Sequence, residues 1–166
     1  MKLDTDTTHA ALPALSAEGL DVAIVSARFN ARIVDLLRRG AESAWARLGG
    51  ELGVLSHHEV PGAYELPLAA KAIAERFIAQ RRVGAVVALG CVIRGDTAHF
   101  DFVAGECARG LMQVGLETRV PVIFGVLTVE NEAQALERAD PTRMNKGGEA
   151  MEAAIEMAML LRQIRG

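Results

Sequence analysis

The chain has 166 residues, 51% hydrophobic and 23% charged, which suits one domain with a sizeable core and excludes intrinsic disorder as the default. Lys and Arg number 18 against 21 Asp and Glu, a formal net charge of −3; with a pI near 5.8 this argues against a surface built mainly to grip nucleic acid or anionic lipid. Two cysteines, Cys91 and Cys107, stand far apart and outside any Cys-x-x-Cys pattern, so neither a disulfide framework nor a zinc knuckle is supported, and reduced thiols in a cytoplasm fit.

In chain order, residues 1–20 read as a polar, Thr-rich arm and 21–166 as the folded domain. Met1 to Gly19 lacks the apolar core of a signal peptide, and the longest apolar run, Val83 to Ile93, is well short of the roughly 18 residues of a membrane span; a soluble, unexported protein is expected. Asp21 to Ser26 predicts a strand buried on both faces. Ile33, Leu37, Ala41, Ala44 and Leu48 recur at helical spacing, and Gly49-Gly50 ends that helix. Leu52 to Val60 can be extended, Leu66, Ala70, Ile73 and Phe77 mark a second helix, and Val83 to Cys91 is a second strongly apolar strand. Val103, Cys107, Gly110 or Leu111, and Val114 predict a helix, Pro121 to Thr128 a strand, and Glu130 to Arg138 and Lys146 to Ile164 two closing helices. In the last, Glu149, Glu152 and Glu156 come early and Arg162 and Arg165 late, as the helix macrodipole favours. It is also apolar around much of its circumference, which asks for a partner. Such alternation predicts an α/β sandwich with a parallel sheet covered by helices on both faces.

Ligands of open parallel sheets lie beyond the carboxyl ends of the strands, so the residues there carry the search for chemistry. Arg28-Phe29-Asn30, Pro61-Gly62-Ala63-Tyr64-Glu65 and Arg94-Gly95-Asp96-Thr97-Ala98-His99 follow the first three strands, and Phe124 lies within the fourth. Gly95, the Thr97 hydroxyl and the N–H groups of the following helix can receive a phosphate; Asp96-Thr97 can equally serve only as a helix cap. His99 is suited to proton transfer in carbonyl chemistry or to a structural role. Glu65 can accept hydrogen bonds from a polyol or amine, or merely complement a helix dipole. Phe29 and Phe124 can stack on a heterocycle or belong to the core, and Arg138 and Lys146 can balance a phosphate or face solvent. His57 and His58 are adjacent, point opposite ways on a strand, and make no metal site. No Walker loop, Gly-x-Gly-x-x-Gly fingerprint or Gly-x-Ser-x-Gly elbow occurs.

Taken together, Phe29-Asn30, Pro61 to Pro67, the run from Gly90 to Val103, Phe124 to Thr128 and Asn145-Lys146-Gly147 closely resemble the 6,7-dimethyl-8-ribityllumazine synthase family, from about Asp21 to the C-terminus. The resemblance implies a transferase of riboflavin biosynthesis that condenses 5-amino-6-(D-ribitylamino)uracil with 3,4-dihydroxy-2-butanone 4-phosphate, releasing phosphate and water, with no metal or organic cofactor. It implies a flavodoxin-like three-layer sandwich around a four-stranded parallel sheet. It also implies a cytoplasmic homo-oligomer built from pentamers, as a decamer or a capsid-like 60-mer, with association with riboflavin synthase. By matching position, Phe29 stacks on the pyrimidine, Ala63, Tyr64 and Glu65 hold the ring and ribityl chain, and backbone at Cys91, Val92 and Ile93 reads the uracil edge. Asp96 and Thr97 match the phosphate loop, Arg138 its cationic partner and His99 the proton-transfer residue, while Phe124 and Lys146 match residues supplied by the adjacent subunit. Tyr64 stands where relatives often have Phe, and Asp96 sets a carboxylate beside the phosphate unless only its backbone N–H binds. The short Asp140 to Asn145 connection resembles capsid formers, although Met144 replaces a glycine often seen in them.

Overall fold

The computed structural model describes residues 14–166. The arm assigned to residues 1–20 therefore lies, for residues 1–13, outside the described residues. Residues 14–20 pack on the domain: Ala17 and Leu20 are buried, and the Ala17 N–H donates to the Leu48 carbonyl at 2.9 Å.

The elements are β1 (Asp21–Ala27), α1 (Ala31–Arg47), β2 (Ser56–Val60), α2 (Leu66–Ala79), β3 (Gly84–Ile93), α3 (His99–Thr118), β4 (Val122–Val129), α4 (Glu132–Ala139) and α5 (Lys146–Arg165). All strand pairs are parallel, in the order β2-β1-β3-β4. This is the flavodoxin-like three-layer arrangement.

Strand side chains alternate between two cores, as a two-residue period requires. Val22, Ile24, Ala85, Val87, Leu89 and Cys91 face α1, α4 and α5. Ala23, Val25, Ala27, Val86 and Ala88 face α2 and α3. Because β1 and β3 are covered on both faces, their sequences are nearly unbroken apolar runs. On α1, Ile33, Leu37, Ala41 and Ala44 bury the predicted stripe, and Leu37, like other fully buried side chains of its size, contributes about 1.5–3 kcal/mol. Trp45 is buried with them and donates its indole N–H to the Glu51 carbonyl at 3.0 Å, so its polar atom is satisfied.

α1 and α5 approach to backbone contact. A Cβ on Gly147 would overlap the Leu37 carbonyl, and one on Gly40 would overlap the Asn145 side chain. Asn145 in turn caps α5 by accepting from the Gly148 N–H at 3.2 Å.

Several boundaries differ from the sequence reading. Glu51 to Leu55 is a turn, closed by Val54 N–H donating to the Glu51 carbonyl at 3.0 Å, so the extended segment is only Ser56–Val60. β3 runs on to Ile93. α3 starts at His99 rather than near Val103; its first turn is largely exposed, so no buried periodicity marks it. α5 buries Met151, Ile155 and most of its small residues and leaves Met157, Leu160 and Ile164 exposed. α3 exposes a larger apolar face through Phe102, Met112 and Leu116. Among the described residues no helix is long and apolar enough to cross a membrane.

Candidate active site

With β1 central and β2 and β3 on either side of it, the chain reverses its direction of travel across the sheet between β1 and β3, where this architecture opens a crevice at the carboxyl ends of its strands. Asn30 bridges that point. It holds a left-handed conformation (φ 58, ψ 41), one that Asn tolerates better than most residues, and its side-chain N–H donates to the Cys91 carbonyl at 2.9 Å. Phe29, fixed beside it by its N–H donating to the Pro61 carbonyl at 3.1 Å, projects an exposed ring.

The second rim follows β2. Gly62 to Glu65 forms a turn of tighter helix ahead of α2, closed by the Gly62 N–H donating to Glu65 Oε2 at 2.9 Å. One Glu65 oxygen is thus engaged, leaving the other to accept from a ligand. Ala63 is buried beneath the turn while Tyr64 lies exposed on it.

The third rim is the end of β3 and the start of α3. The N-cap, Ala98, has no side chain that can cap, and the helix is 20 residues long; although the Asp101 N–H turns back to the Ala98 carbonyl at 3.1 Å, the helix end still presents its positive dipole and the Phe100 N–H to an anion. Asp96 is not the cap. The nearest side-chain substitute is the Thr97 hydroxyl, which accepts from the His99 N–H at 3.4 Å.

These rims enclose one cleft of about 630 Å³ lined by Phe29, Ala63, Tyr64, Glu65, Cys91, Val92, Ile93, Thr97 and His99 among others. An aromatic face, a carboxylate, strand-end backbone groups, a helix N-terminus and an imidazole therefore converge, as recognition of a flat, polyol-bearing ring beside a phosphate requires. Burial pushes the Cys91 thiol up to about 11, which keeps it protonated at neutral pH and unsuited to nucleophilic attack.

Four residues of the predicted set lie elsewhere. Asp96 is exposed and absent from the lining, although Gly95 and Thr97 on either side belong to it. Phe124 and Lys146 line a separate hollow of about 380 Å³ with Ile123, Glu149 and Ala150. Phe124 pairs with Ala88, three positions before Cys91, so roughly 10 Å of strand separates it from the cleft. Lys146 is bound to Glu149 at 2.6 Å. Arg138 is on α4, lines neither depression, and donates one N–H to the Gln134 carbonyl at 3.2 Å. Phe102 and Val103, by contrast, line the cleft although the sequence reading gave neither a role in the site; their i+3 and i+4 spacing from His99 was the available signal. Among the described residues no group of three or more His, Cys, Asp or Glu side chains is placed to hold a metal ion.

Fold and cleft together define a flavodoxin-like α/β enzyme whose site is open on one side. The profile of the 6,7-dimethyl-8-ribityllumazine synthase family matches residues 19–162. Similar curated proteins include the 6,7-dimethyl-8-ribityllumazine synthases of Thermus thermophilus, 51% identical over 92% of this chain and 94% of theirs, and of Deinococcus radiodurans, 52% identical over 90% and 94%. The chain belongs to the 6,7-dimethyl-8-ribityllumazine synthase family, transferases of riboflavin biosynthesis that act on small molecules and are in general oligomeric.

Proposed function

We propose that this chain condenses 5-amino-6-(D-ribitylamino)uracil with 3,4-dihydroxy-2-butanone 4-phosphate to give 6,7-dimethyl-8-ribityllumazine, the penultimate step of riboflavin biosynthesis. The observation that carries the reading is the single cleft that joins Phe29, Tyr64 and Glu65 to Thr97 and His99 at one sheet end. In it Phe29 stacks on the pyrimidine, Glu65 accepts from the ribityl hydroxyls, backbone at Cys91 to Ile93 pairs with the uracil edge, and the N–H groups after Gly95 receive the phosphate. The Asp96 carboxylate, outside the lining, leaves that loop free to bind through its backbone.

The 5-amino nitrogen adds to the ketone carbon and water leaves as the imine forms. The carbon bearing the neighbouring hydroxyl then loses its proton, phosphate departs, and the resulting enol becomes a second ketone. The ribityl-bearing nitrogen closes the ring on it with loss of water. His99, the first residue of α3 and exposed to the cleft, moves the protons, and the remaining acceleration comes from holding two substrates together.

Among the described residues no Lys or Arg lines the cleft, and the Phe124 and Lys146 hollow holds a cation beside a further aromatic ring. We assign these, with Arg138, to the site of a neighbouring copy in a cytoplasmic pentamer, itself the unit of a decamer or 60-mer able to associate with riboflavin synthase. The exposed apolar faces of α3 and α5 support such contacts. The test is to mix purified protein with both substrates and follow the absorbance and fluorescence of the lumazine. Tight binding without turnover would favour a carrier, and flavin formed from lumazine alone a riboflavin synthase.

A further inference from the structure

Arg94 is the last residue before the Gly95–Ala98 loop and carries more contacts than any ligand role explains. Its backbone N–H donates to the Val129 carbonyl at 2.9 Å, extending the β3–β4 ladder. Its Nε lies 3.2 and 3.1 Å from the two Glu130 carboxylate oxygens, just past β4. Its Nη1 donates to Asp101 at 3.2 Å, and its guanidinium carbon sits 4.1 Å from the centroid of the Phe100 ring. Phe100 and Asp101 are the two residues after His99. One planar cation therefore joins the residue before the loop, the first turn of α3 beyond it, and the end of β4.

That first turn has no side-chain cap of its own, so the clamp supplies the fixation a cap would give. The geometry points to Arg94 as a positioning residue of the site: it sets where His99 and the N–H groups of the phosphate loop stand relative to the phosphoketone. This rests on the proposed condensation. The guanidinium serves because it is planar, stacks on the ring and forks to two carboxylates at once; an ammonium does none of these together. The side chains involved are between 39 and 62% exposed, and ion pairs so exposed add little to global stability. Position, not folding, is what they determine.

The experiment compares wild type with Arg94→Lys and Glu130→Gln by steady-state kinetics in each substrate, thermal midpoint and assembly size. Displacing reacting groups by about an ångström costs roughly 10–100-fold, so Arg94→Lys should lower kcat/KM for the phosphoketone by ~10-fold or more. The KM for the pyrimidine, thermal midpoint and assembly should stay as in wild type, and Glu130→Gln should show the same split more weakly. An active wild type with an unaltered Arg94→Lys variant overturns the inference alone. So does a general loss in both variants, in which both KM values and the thermal midpoint move together. A wild-type protein that forms no lumazine removes the proposed condensation, and this inference with it.

Discussion

If each site draws on two copies, two defective chains can repair one another. His99→Ala removes the imidazole from the cleft and should slow turnover ~10-fold or more; Lys146→Ala removes the cation from the hollow and should cost a comparable factor. The two depressions share no lining residue, so each variant keeps one half intact. In rings reassembled at random from equal parts, an intact cleft meets an intact hollow at about one site in four, because every head-to-tail contact pairs two independently drawn copies. The mixture should thus reach roughly a quarter of wild-type activity, while each variant alone stays at about a tenth or less. The assay is lumazine fluorescence before and after joint dissociation and reassembly, with each variant carried through separately as control. Activity after mixing no greater than the mean of the two controls would refute the division of the site between copies.

Three further outcomes follow from other parts of the molecule. Arg138→Ala should raise the KM for the phosphoketone ~10-fold or more, the loss of a hydrogen bond to a charged group, while the pyrimidine KM moves little; equal changes in both would remove Arg138 from phosphate binding. Gly147→Ala drives a methyl into the Leu37 carbonyl, an overpacking that costs about 1–3 kcal/mol and should lower Tm by roughly 3–10 °C at fixed protein concentration, with an unchanged Tm counting against the close crossing. Burial raises both Cys91 and Cys107 from the ordinary value of 9.0 to about 11. An unfolded chain then loses these protons first, so the stability they confer is whole below pH 9 and is lost as pH rises to about 11. Urea titrations from pH 8 to 11 should show a decline on the order of 2 kcal/mol per thiol, flattened in a Cys91→Ala, Cys107→Ala double variant.

The buried framework was legible because burial leaves a period: the runs at Asp21 and Val83 and the stripe from Ile33 to Ala44 each mark an element the structure contains. Where burial is absent the period is too. The exposed opening turn of α3 went unread, and the apolar Leu52 and Val54, both exposed, extended β2 into what is a turn. Of the Asp96-Thr97 capping alternative, Asp96 takes no part because the N-cap falls at Ala98, while Thr97 contributes only one long acceptance from the His99 N–H. Residues that follow a strand closely, such as Phe29, Glu65 and Thr97, could be placed in the cleft from topology alone. Phe124 and Lys146 could not, since they lie in a separate hollow away from the cleft and only resemblance to relatives gave them a role.

The carbonyl-to-glycine crossing of α1 and α5 has a mechanical consequence. Phe29 stands just before α1, and about ten residues along it, some 15 Å, Leu37 and Gly40 abut the backbone that bears Lys146. In the proposed ring each copy would act as a stiff strut joining the Phe29 lip of one pocket to the Lys146 side of the next. Error at that crossing has nowhere to relax: in such a ring it would misalign two pockets at once, through a single interhelical gap too narrow for a methyl group.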